Sequence, residues 1–100
     1  MSERDAYVIK FSLYAAIDGG LDGLARAIHV VRKAPVQFHD MAVVDVGKTK
    51  EVSLRVSGKR KDIEWLAKKL EKVVEVLSVD VQPLPAEMIE LIAQKERIRE

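Results

Sequence analysis

The side chains that could carry acid–base or metal chemistry are few and scattered. His29 falls inside a helical pattern and His39 lies in an apolar run, and neither stands at a zinc-binding spacing from another His, Asp or Glu. Asp18, Asp22, Asp40 and Asp45 show no arrangement that would split a general acid from a general base. There is no cysteine, which removes disulfides, thiolate metal sites and thiol nucleophiles. A nucleophile elbow, a P-loop and the dinucleotide-binding glycine pattern are also missing, so the chain gives little support for an independent enzyme. One constellation remains. Gly19, Gly20 and Gly23, interleaved with Asp18 and Asp22, precede a helical pattern. Such a loop can turn sharply and expose backbone amides before a helix, and its glycine pair is by itself a weak signal. The bland alternative is that Asp22 caps the helix and Gly23 relieves crowding. The residues by themselves leave both open.

The elements that hold this loop are legible in the hydrophobic period. Tyr7, Ile9, Phe11 and Leu13 alternate with polar or smaller neighbours and predict a first strand. Leu24, Ala27, Ile28 and Val31 recur at helical spacing, and Pro35, which lacks an amide donor, ends that helix near Lys33. Residues 36–46 form a β-branched run whose alternation breaks around Phe38 to Met41, the mark of an irregular entry or bulge. Gly47 to Lys50 then connect it to Val52, Leu54 and Val56, making a hairpin. Ser57 to Lys61 supply a turn, and Ile63, Leu66, Ala67, Leu70 and Val73 or Val74 define a second helix with Asp62 as a possible cap. Leu77, Val79 and Val81 alternate into a last strand before Pro83. The order strand, helix, strand, strand, helix, strand predicts an α+β, ferredoxin-like sandwich, with an antiparallel four-stranded sheet and both helices on one face. Leu84, Met88, Leu91 and Ile92 add the spacing of a third helix in a C-terminal extension, 83–100, that packs on its own sheet or on a neighbour.

Composition narrows the function classes. Among 100 residues, 17 Lys and Arg meet 16 Asp and Glu, and a net charge of +1 makes no general case for nucleic acid. The third strand also carries no aromatic for stacking bases. Charge is nevertheless uneven, with nine positive and four negative groups in 47–72 against three and six in 73–100. No signal segment or membrane-spanning apolar run is visible, which leads to the expectation of a cytoplasmic protein without membrane contact. A fold of this kind without catalytic groups works by self-association or by docking on a larger protein.

Residues 7–82 resemble the ACT domain, and in particular the short regulatory subunit of acetohydroxyacid (acetolactate) synthase. The resemblance rests on the run Leu24 to Lys33, on Val43 to Val56, and on Leu70 to Val79, where a leucine, a lysine and a valine-rich stretch lead from the second helix into the last strand. It implies an ACT-like regulatory domain over residues 6–82 that is noncatalytic, forms a homodimer and binds the thiamine-diphosphate-dependent catalytic subunit of branched-chain amino-acid biosynthesis. Thiamine diphosphate, magnesium and flavin would belong to that larger subunit, leaving no cofactor for this chain. The resemblance further implies that the loop before the first helix, at Gly19, Gly20, Asp22 and Gly23, approaches a branched-chain amino acid at a dimer interface. The alternative is a free-standing ACT-domain dimer that senses an amino acid and regulates another protein.

Overall fold

A computed structural model describes residues 5–84. Four strands, β1 (Asp5–Tyr14), β2 (Gln37–Val46), β3 (Thr49–Gly58) and β4 (Val76–Pro83), form one sheet in the order β2-β3-β1-β4, every neighbouring pair antiparallel. Helices α1 (Leu21–Lys33) and α2 (Arg60–Glu71) cover one face of it. This is the ferredoxin-like βαββαβ sandwich that the periodicity predicts. The third helix expected around Met88 to Ile92 lies outside the described residues.

The core forms because alternating strand residues and one stripe of each helix meet. Ile9, Phe11 and Leu13 of β1 and Val52, Leu54 and Val56 of β3 point the same way and are at most 3% exposed. Ile63, Leu66 and Leu70 of α2 close over them with no exposed surface, each burial worth about 1.5–3 kcal/mol relative to an exposed position. From α1 only Ala27 is fully drawn into this cluster, while Leu24, Val30 and Val31 flank it. The other face of the sheet has no helix among the described residues. It carries Val8, Lys10 and Ser12 of β1, Ser53, Arg55 and Ser57 of β3, and Asp40 and Ala42 of β2. Arg55 and Asp40 form a two-pronged ion pair there, and His39 Nε2 lies 2.6 Å from Ser57 Oγ.

Several local expectations change on seeing the register. The irregularity in β2 is real: pairing with β3 shifts between Phe38 and Asp40, so His39 is the extra residue of a bulge. A second shift places Leu13 opposite Val76 but Ser12 opposite Ser78. Leu77 is therefore extruded and 57% exposed, and Val76, not Leu77, continues the inward row of Val79 and Val81. Of the two valines after α2, Val73 is buried and Val74 is 89% exposed. Asp62 does not cap α2; Lys59 holds the cap position with no side-chain bond. α1 ends as Pro35 requires, since Ala34 is forced to extended backbone (φ −76, ψ 141) while its amide still bonds Val31 O.

Candidate functional site

The connection from β1 to α1 is built on glycine. Gly19 (φ +69) and Gly20 (φ +81) are consecutive left-handed residues, a conformation that a Cβ disfavours by about 1–2 kcal/mol each. Gly20 is also packed, since a Cβ there would stand 3.2 Å from Ala15 Cβ and 3.4 Å from Lys50 Cδ. Gly23 has ordinary helical backbone, but its added Cβ would fall 2.7 Å from Glu75 Cβ. Its role is close approach of α1 to the turn before β4. That turn is tied in further by Tyr14 N donating to Glu75 O and by the Arg26–Glu75 ion pair. Hydrogen bonding to Glu75 raises the already high pKa of the Arg26 guanidinium, and Glu75 Oε1 is buried with no hydrogen-bond partner among the described residues.

Asp18, not Asp22, caps α1. Its Oδ1 accepts from Gly20 N and its Oδ2 from Asp22 N, both at 3.0 Å, whereas the cap position itself is Gly20. These amides, Asp22's first, hold the Asp18 carboxyl below the usual carboxylate range. The Asp22 side chain is left exposed beside the helix start. So the structure does bring Gly19, Gly20, Asp22 and Gly23 to one end of α1, but two of them shape backbone, one admits Glu75, and the amides of Gly20 and Asp22 are already occupied. Sequence reasoning missed Asp18 as cap, although an Asp immediately before a glycine pair carries that signal. It also missed Lys50, which lies against Gly20 and pairs with Asp45 at 3.5 Å. The hairpin tip reaches the same loop through Ala15 N donating to Lys48 O at 2.8 Å.

At the other end of α1 is a cavity of about 300 Å³. Ile28 and Val31 of α1 and Phe38 and Met41 of β2 wall it, Phe11 and Leu54 floor it, and Arg32 is its one charged lining residue. It exists because Ala27 and Ala34 are too small to fill the space between α1 and β2. None of the four residues singled out in the loop lines it. β2 beside it pairs only with β3 among the described residues, and Phe38, Val43, Val44 and Val46 are 41–58% exposed along that edge. No group of three or more His, Asp or Glu residues that could hold a metal occurs among the described residues, and no helix there is long and apolar enough to cross a membrane.

Comparison with known proteins agrees with this architecture. The ACT-domain family profile matches residues 21–79. The crystal structure of the ACT domain from GTP pyrophosphokinase of Chlorobium tepidum superposes with a TM-score of 0.66 at 16% identity, covering 78% of this chain and 97% of that one. A homoserine dehydrogenase from Thiobacillus denitrificans gives 0.65 at 15% identity, over 82% of this chain but only 18% of the enzyme. The C-terminal domain of the MgtC protein from Mycobacterium tuberculosis gives 0.65 at 9% identity, over 86% and 94%. No curated protein sequence matches significantly. At these identities the structural likenesses speak to the fold, and the profile, which spans more than half of the chain, speaks to ancestry: the chain belongs to the ACT-domain family.

Proposed function

We propose that this chain senses a small amino acid as a homodimer and regulates another protein by contact. The observation that carries the reading is the apolar cavity opening beside the edge of β2 that has no partner strand among the described residues. Its volume of about 300 Å³ is at the lower end of ligand sites, its walls suit a branched aliphatic side chain, and the Arg32 guanidinium suits a carboxylate. Pairing two β2 edges antiparallel would satisfy their open backbone groups and cover Phe38 and Val43. The Val46 end of β2 adjoins the hairpin tip and, through Ala15 and Lys48, the glycine loop, whereas the Phe38 end borders the cavity. Antiparallel pairing therefore brings the Gly19–Gly20–Asp22–Gly23 end of one protomer toward the cavity of its partner. The exposed Asp22 carboxylate is then available to the ligand ammonium. Binding that needs both protomers favours the dimer through linkage.

Within this reading the partner we propose is the catalytic subunit of acetohydroxyacid synthase, supported by the resemblance of residues 24–33, 43–56 and 70–79 and by a cavity suited to branched-chain amino acids. Calorimetric titration with valine, leucine and isoleucine, with the molar mass measured in parallel, tests the sensing dimer. A monomer that takes up none of the three would contradict it. Mixing with the catalytic subunit and following acetolactate production tests the partner. A responsive dimer that neither associates with that subunit nor alters its rate would assign the output to a different protein.

A further inference from the structure

We propose that the polar cluster on the open face of the sheet, His39 with Ser57 and Asp40 with Arg55, shapes the cavity on the opposite face by locking the bulge in β2. These four are then positioning residues for the ligand, which rests on the cavity being the ligand site. Phe38 and Met41 both wall the cavity, opposite the inward Val56 and Leu54. They stand three residues apart, and side chains an odd number apart on a regular strand point to opposite faces. Only the extra residue at His39 lets both face inward. Without it, holding Phe38 in place would turn the Asp40 carboxylate into the cavity and Met41 out of it. Holding Met41 instead would turn Phe38 out and His39 in.

A bulge leaves one residue out of the ladder and disrupts the pairing around it, so it persists where something else holds it. β2 pairs with β3 alone among the described residues, so no second strand pins it there. The holding groups are side chains. Arg55 and Ser57 alternate with the inward Leu54 and Val56, which sets both on the open face. His39 Nε2 lies 2.6 Å from Ser57 Oγ, and the Arg55 guanidinium grips the Asp40 carboxylate with two prongs. The two residues that make the bulge are therefore each tied to β3, and the planar Arg55 fork fixes orientation as well as distance. None of the four lines the cavity. Their effect on it passes through the β2 backbone, since Phe38 and Met41 flank the bulge on either side and form the β2 wall.

Labelling the methionine methyls of the full-length chain with carbon-13 gives a readout that needs no ligand, because Met41 shares the cavity with the rings of Phe11 and Phe38. Arg55→Gln combined with Ser57→Ala removes both ties. It should move the Met41 methyl signal, assigned by its loss in Met41→Leu, and weaken binding of valine, leucine or isoleucine, whichever the parent holds tightest, roughly fivefold by calorimetry. Arg55→Lys, which keeps the charge but not the fork, should fall between the parent and the double variant. Ser53→Ala, on the same strand and face but opposite Ala42, should leave both readouts at their parental values. If the double variant fails to fold, Asp40→Asn replaces it with the same expected signs. A Met41 signal that stays put when the ties are lost, or that moves as far in Ser53→Ala, would overturn the proposal, as would unchanged affinity in a parent that binds. A parent that binds none of the three removes the sensing reading instead, and the Met41 signal alone then decides whether the open face shapes the cavity.

Discussion

The two ends of α1 are organised by different physics. At the first end, shape comes from the backbone: two left-handed glycines, a missing Cβ against Glu75, and an aspartate that occupies two amides. At the second end, shape comes from side-chain volume, since small alanines leave a cavity that larger apolar residues wall but do not fill. The first end is intolerant of added atoms. The second has room to accept them. An effector site that needs both a fixed polar rim and an adaptable apolar pocket would draw one from each, and the antiparallel dimer proposed above would join them.

Substitutions that separate the two ends should therefore differ in kind as well as size. Gly23→Val should be the most damaging, losing about 2–3 kcal/mol of stability in urea titration, because overpacking against Glu75 and Leu13 has no flexible outlet. A loss as small as that of an ordinary surface change would break the claim that α1 is seated by this contact. Gly20→Ala should lose about 1–2 kcal/mol, combining an unfavourable φ with crowding against Ala15. Gly19→Ala shares the left-handed backbone but meets nothing within 4 Å, so about 1 kcal/mol is expected, and equal effects at the two glycines would remove the packing argument.

Asp18→Asn should have a smaller effect that depends on pH. The folded carboxyl is held below its ordinary pKa, so its contribution is complete above the unfolded value and disappears as pH falls through the folded one. The parent should melt higher than the variant at neutral pH, and the gap should close on acidification below about pH 4. A gap independent of pH would contradict the charged cap. Arg32→Gln should change stability least, within about 0.5 kcal/mol, yet weaken amino-acid binding roughly tenfold by calorimetry. Unchanged affinity would detach the cavity from the function.

What was legible in the sequence follows the same division. The alternation in Ile9 to Leu13 and Val52 to Val56 and the stripe of α2 are local patterns that the buried core reproduces, whereas of the α1 stripe only Ala27 is fully buried and Ile28 is 38% exposed. The break at His39 was visible because a bulge inside a regular run disturbs its own alternation. The extrusion of Leu77 was not, since Leu77, Val79 and Val81 alternate well in isolation and only the pairing with Leu13 and Ser12 shows the shift. The glycine cluster announced the loop, but which aspartate would cap depended on Gly19 and Gly20 both turning left-handed. The cavity had no local signal at all, because it is the space left between α1 and β2 over Phe11 and Leu54, and its size depends on how these elements pack rather than on any pattern within one of them.

The central claim, that a free β2 edge becomes a ligand-linked dimer interface, is tested most directly by amide hydrogen exchange across Gln37–Val46 at several protein concentrations, with and without a branched-chain amino acid. Exchange of the outward amides of β2 should slow as concentration rises and slow further with ligand, while β1 and β3 stay protected throughout. Exchange in β2 that responds to neither concentration nor ligand would contradict the account.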